Sequence, residues 1–282
     1  ASRAVESDSR AEAMVVVVST GVPVEGAVDV NGDGFADLII RALAADPTWT
    51  TLAGSSYVVF GKASGFTAGV DLASLDGADG FRLDGIDDID FSGGSVSGAG
   101  DVNGDGFADL IIGASGGDPG GDSGAGESYV VFGKASGFTA GLDLASLDGV
   151  DGFRIDGIDA SDSSGQSASG AGDVNGDGFA DLIIGANGAD PDGDAAAGES
   201  YVVFGKATGF TAGLDLASLD ATEGFRIDGI DAGDQSGRSV SAAGDVNGDG
   251  FADLIVGAYG ADPNGVSAAG ESFVVFGFDS GA

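Results

Sequence analysis

DVNGDGFADL occupies residues 29–38 and returns unchanged at 101–110, 173–182 and 245–254, each copy 72 residues after the last. Self-similarity at one fixed spacing marks a repeat architecture. Other strings keep the same step. SYVVFGK stands at 56–62, 128–134 and 200–206, with SFVVFGF at 272–278. GFRLDGID at 80–87 returns as GFRIDGID at 152–159 and 224–231, and DLASLD recurs at 71–76, 143–148 and 215–220. Six of the ten basic residues ride on the repeat: Lys62, Lys134, Lys206, Arg82, Arg154 and Arg226.

Within one repeat the residues divide into four short β-forming runs separated by Gly, Asp and Ser clusters, which is turn chemistry. In the second repeat these are 95–100 (SVSGAG), 108–114 (ADLIIGA), 127–134 (ESYVVFGK) and 152–159 (GFRIDGID). The middle two do not alternate polar with apolar. Tyr129 and Val131 point one way and Val130 and Phe132 the other, so both faces of the sheet must be covered. The first run is made of small residues and suits a crowded axis. The fourth carries charge, as an outer edge strand should.

A four-stranded unit of this length, repeated and buried on both faces, predicts an all-β fold: a β-propeller with four antiparallel blades. The rival is an open solenoid, whose repeats are usually shorter, about 20–45 residues. The whole chain, 1–282, reads as one propeller domain with blades near 22–87, 94–159, 166–231 and 238–278. The last repeat stops after its third run, and Met14–Ser19 (MVVVVS) is an unassigned β-forming run. That run is expected to supply the missing strand and close the ring. The alternative is an incomplete ring finished by a second copy of the chain or by a further segment, which leaves monomer or homodimer open. The first repeat is the most irregular, with Arg41 where the others have Gly113, Gly185 and Gly257.

The chemistry lies in the repeated loop, D-x-N-x-D-G-x-x-D. Positions 1, 3, 5 and 9 carry side-chain oxygens, and calcium wants six to eight oxygen ligands in a flexible shell. Glycine at position 6 permits a turn that an L-residue resists, and the carbonyl of position 7 is the expected backbone ligand. Four calcium sites follow. They are Asp29, Asn31, Asp33, Phe35 and Asp37; Asp101, Asn103, Asp105, Phe107 and Asp109; Asp173, Asn175, Asp177, Phe179 and Asp181; and Asp245, Asn247, Asp249, Phe251 and Asp253. The bland alternative is that Asp, Asn and Gly merely make a turn, but a plain turn does not need the same four oxygens four times. An EF-hand would end in a bidentate Glu at position 12, where this chain has Ile40, Ile112, Ile184 or Val256. Magnesium keeps its waters and prefers an octahedron, and zinc would want His or Cys. A second set of acids could take further cations: Asp118, Asp122 and Glu127, then Asp190, Asp192, Asp194 and Glu199. Their spacing varies, which favours a solvated loop. Trp49 reads as packing more readily than as a binding anchor.

Composition excludes much else. The chain has 46 acidic and 10 basic residues, a net charge of −36. Nucleic acid and anionic membranes need the opposite sign, and so much self-repulsion calls for cations or salt. Disorder is set aside by 43% hydrophobic residues and 17 phenylalanines. There is no cysteine and no histidine, which removes disulfides, thiol chemistry and every Ser-His or Cys-His pair. Met14–Val18, the strongest apolar run near the start, is far shorter than the roughly 20 residues that a membrane span needs.

DVNGDGFADLIIGA followed by a YVVFG strand resembles the FG-GAP repeat of the integrin α-subunit propeller and its bacterial relatives, over about residues 22–278. The resemblance implies that the loop joins the first two strands of a blade and that its metal is structural. The chain departs from the family at the opening Phe-Gly, which reads Gly-Gly at 93–94 and Ser-Gly at 164–165 and 236–237, and in having four repeats where integrins have seven. Its near-identical repeats, acidity and lack of cysteine look most like a module of a secreted bacterial surface protein. The expected function is therefore a calcium-stabilised extracellular scaffold or adhesion module. It is non-catalytic, with a protein or glycan ligand on a propeller face. The alternatives are a lectin-like propeller and a carboxylate-based hydrolase.

Overall fold

The computed structural model describes residues 24–26, 28–47, 50–66 and 69–281. The expected closing run Met14–Ser19 and Trp49 lie outside the described residues. The described chain is all-β, with short 3-10 turns and no α-helix.

The first sheet holds β1 (Val24–Gly26), β2 (Leu38–Ala42), β3 (Ser55–Val59) and β4 (Gly80–Asp84). The second holds β5 (Ser95–Gly100), β6 (Asp109–Ala114), β7 (Glu127–Val131) and β9 (Gly152–Asp156). In sequence, β8 (Gly141–Asp143) falls between the last two. The third sheet holds β10 (Ser167–Gly172), β11 (Asp181–Ala186), β12 (Glu199–Val203) and β14 (Gly224–Asp228), with β13 (Gly213–Asp215) intervening in sequence. The fourth holds β15 (Ser236–Gly244), β16 (Asp253–Ala258) and β17 (Glu271–Val275). Within each sheet these neighbours pair antiparallel, in sequence order.

Two expectations need correction. In the second repeat the second run begins one residue later than the sequence suggests, and the third and fourth end three residues sooner, because backbone amides leave the ladder for other acceptors. Ala108 donates to the Asp29 carbonyl of the previous loop, Phe132 to the Asp151 carbonyl, and Gly133 to the Asp109 carboxylate. Nor is the charged fourth strand always the outer edge. β8 pairs parallel with β4, and β13 pairs parallel with β9. Each thus adds a short strand from one repeat to the sheet of the repeat before. Its arrival is fixed by aromatic packing, with Phe138 stacked on Phe81 at 4.6 Å and Phe210 on Phe153 at 4.2 Å between ring centroids.

The core lies between the sheets, as two-faced apolar strands require. β6, β7, β11 and β12 are buried along their whole length. Ile111, Val130, Phe132 and Phe153 on one sheet pack against Ala168, Leu182, Ile184, Tyr201 and Val203 on the next. Burying such side chains contributes about 1.5–3 kcal/mol each. The small-residue strands of neighbouring sheets approach each other closely: a Cβ on Gly170 would stand 2.7 Å from the Gly98 carbonyl oxygen. The basic residues on the repeat pair with neighbouring acids, Lys134 with Asp151 at 2.8 Å and Arg154 with Asp156 at 2.5 Å and Glu127 at 3.5 Å.

Candidate metal centre

Each repeated loop joins the first strand of its sheet to the second. It winds around the carboxylate at position 1. In the second repeat Asp101 Oδ1 accepts from the Gly104 and Asp105 amides at 2.8 and 3.0 Å, and Oδ2 accepts from Gly106 at 2.9 Å. Asn103 Oδ1 accepts from Asp105 at 2.9 Å, and Asp105 Oδ1 accepts from Phe107 at 2.9 Å. The Asn103 amide donates to Asp105 Oδ2 at 3.0 Å. The same framework recurs at Asp173, Asn175 and Asp177 and at Asp245, Asn247 and Asp249, and, apart from the position-4 amide bond, at Asp29, Asn31 and Asp33. Two glycines permit the winding, with φ of +74° at Gly104 and +90° at Gly106, a region an L-side chain resists.

The ninth position behaves differently. Asp109 is fully buried. Its Oδ2 accepts from Val102 at 2.8 Å and its Oδ1 from Gly133 at 2.9 Å, so one carboxylate ties the loop to the turn after the third strand. Asp37, Asp181 and Asp253 make the same pair of bonds. Burial pushes Asp109 and Asp181 up to about 7. Their amide bonds oppose the shift, and the two other carboxylates of the loop add to it.

Among the described residues, no three acidic side chains are gathered closely enough to hold a metal ion by themselves. The loop instead offers two carboxylates and an Asn oxygen on its outer side, the position-7 carbonyl, and a third carboxylate turned inward. This all-oxygen set suits a hard cation in its chemistry, and most of its side-chain oxygens accept a single N–H, leaving a second lone pair.

The loops also form a continuous row. A Cβ on Gly104 would fall 2.4 Å from the Phe179 ring of the next loop, and Gly32 and Gly176 stand in the same way against Phe107 and Phe251. Ala180 donates to the Asp101 carbonyl at 3.0 Å, and Lys206 to the Val102 carbonyl at 2.9 Å. Position 4 and the position-7 ring therefore belong to the junction between sheets, a role that reading the loop for oxygens alone misses. The signal was present, since position 4 is glycine in all four copies.

The second acidic set is used differently. Asp118 and Asp190 cap their own loops by accepting from the Gly124 and Ala196 amides. Glu127 and Glu199 are buried, each accepting a hydrogen bond from the hydroxyl of Tyr129 or Tyr201 and facing Arg154 or Arg226. Behind them, burial pushes Asp90 and Asp162 up to about 6, helped by Glu127, Asp87 and Asp118 around Asp90, and by Asp159, Glu199 and Asp190 around Asp162. A carboxyl whose folded pKa lies above its unfolded value keeps its proton in the fold after the unfolded chain has lost it. Stability then falls as pH rises from about 4 to about 6. In chelator, the melting temperature is expected to be several degrees higher at pH 5 than at pH 7, and the Asp90→Asn/Asp162→Asn variant is expected to flatten that difference. Asn keeps the oxygen that accepts from the Asp87 or Asp159 amide. Thermal melts of both proteins across pH 4–7 check this, and equal slopes would contradict it.

The family model for the FG-GAP repeat matches residues 24–59, 92–131, 164–203 and 236–275, more than half of the chain. Each match spans the first three strands of one sheet and the loop between the first two. No curated protein matches the chain.

Proposed function

The chain belongs to the FG-GAP repeat family, and from that premise we propose that it is a calcium-stabilised, extracellular adhesion or interaction module without catalytic activity. FG-GAP repeats imply an integrin-like β-propeller interaction module, and FG-GAP domains are typically extracellular. No helix among the described residues is long and apolar enough to cross a membrane.

The observation that carries the calcium reading is the row of four loops with a shared hydrogen-bond framework, the first three each leaning on the loop that follows. In the second loop Asp101, Asn103, Asp105 and the Phe107 carbonyl would hold the ion, with Asp109 behind them. Bound calcium supplies positive charge to carboxylates that otherwise repel one another. The residues do the rest: they fix the loop, and the loop fixes the junction between sheets. The electrostatic case is general, because a chain of net charge −36 is held compact more easily with counter-ions bound.

The phenylalanines of the repeat favour a protein partner over a glycan. Phe60, Phe81 and Phe138, like Phe132, Phe153 and Phe210, are committed to the packing between sheets. They do not form a stacking platform on each blade. Native mass spectrometry of the chelator-stripped chain, titrated with calcium, tests the proposal by counting ions per chain.

A further inference from the structure

The fourth sheet has a face that the other three keep covered. Ile183, Val202 and Phe204 of the third sheet are 0%, 0% and 6% exposed, and their counterparts in the first two sheets are covered in the same way. The equivalent residues of the fourth sheet, Ile255, Val274 and Phe276, are 39%, 47% and 57% exposed. Sequence does not explain the difference, because the residue types are the same. In the first three sheets this trailing face lies against the leading face of the next sheet. Contiguous apolar exposure of this kind marks an interaction surface.

The three internal junctions show what fits it. Gly32, Gly104 and Gly176 each take the phenylalanine ring of the following loop, whereas Gly248 has open space beside it among the described residues. Gly100 and Gly172 face Ala180 and Ala252, whereas Gly244 faces none of the described residues. The missing pair is present at the other end of the same chain. Phe35 and Ala36 hold the positions of those rings and methyl groups in the first loop, and both are exposed.

We propose that the trailing face of the fourth sheet docks the leading edge of a second copy of this chain, so that chains join head to tail. Phe35 of one copy then sits on Gly248 of the other, and Ala36 stands against Gly244. Ile40 and Val59 on the leading side are already buried, so the contact centres on the loop edge and on half-buried Leu38 and Tyr57. Joining unlike surfaces is a heterologous contact, which closes into a ring or extends, depending on the rotation at each step. Tail-to-tail pairing is disfavoured because it offers Gly248 no ring to receive. The proposal rests on sheet packing and does not depend on the calcium reading.

Sedimentation velocity over a hundredfold concentration range, in buffer containing calcium, tests it. Species of at least twice the chain mass are expected to grow with concentration. Phe276→Asp on the trailing face, or Ala36→Arg on the leading edge, should each weaken association at least tenfold. Val274→Asp is a second trailing-face variant, and circular dichroism verifies that each variant folds. An equimolar mixture of Phe276→Asp and Ala36→Arg chains should recover a 1:1 pair and nothing larger, because each retains one good end. A wild-type chain that stays monomeric throughout would overturn the proposal, as would association untouched by folded trailing-face variants. A mixture that fails to pair would overturn the head-to-tail geometry.

Discussion

Excess chelator is expected to lower the melting temperature of this chain by more than about 10 °C. An ion that binds the folded loop and not the unfolded chain stabilises by about 2.7 kcal/mol when its concentration is a hundred times its Kd. Four such sites together come to about 11 kcal/mol, and each kcal/mol moves the melting temperature of a chain of this size by about 2–4 °C. The loops are well placed to transmit the effect, since the first three are each bonded to the loop that follows through Ala108, Ala180 or Ala252. Magnesium at equal concentration should restore less, because it gives up its waters reluctantly. A shift under about 2 °C on chelation would remove calcium from the account while leaving the fold untouched.

Asp109→Ala is expected to cost about 2–6 kcal/mol whether or not calcium is present. Asp109 satisfies two buried amides, those of Val102 and Gly133, and an orphaned buried amide costs about 1–3 kcal/mol. Asp101→Ala should behave differently. Asp101 is only half-buried and the amides it holds lie in an exposed loop, where water can replace the carboxylate. Its cost should therefore be small in chelator and grow when calcium is added. Urea denaturation of both variants, with and without chelator, measures the contrast. If Asp109→Ala were harmless in chelator, the ninth-position carboxylate would be a ligand and nothing more.

That contrast also shows where sequence reading stops. The 72-residue period, the two-faced DLII and YVV strands and the oxygen-rich loop were legible, because periodicity and turn chemistry are local properties. The parallel strands β8 and β13 were not. GLD is too short to announce itself, and its place depends on Phe138 and Phe210 meeting rings of the preceding repeat. The double use of Asp109 was hidden for a related reason. An Asp at the ninth position reads as a ligand by type and spacing, while its bond to Gly133 spans 24 residues. The glycine at position 4 needed a neighbouring repeat to give it meaning. The exposed trailing face was hidden by the repetition itself, since Ile255 and Val274 look like their buried counterparts until the sheets are assembled.

The central claim is that these loops are calcium sites that secure an FG-GAP propeller module. Native mass spectrometry of the stripped chain, titrated with calcium, addresses it most directly. The account predicts saturation at four ions per chain, falling to three in Asp101→Ala and to two when Asp173→Ala is added. Saturation with no specifically bound calcium, or a count unchanged by those substitutions, would contradict it.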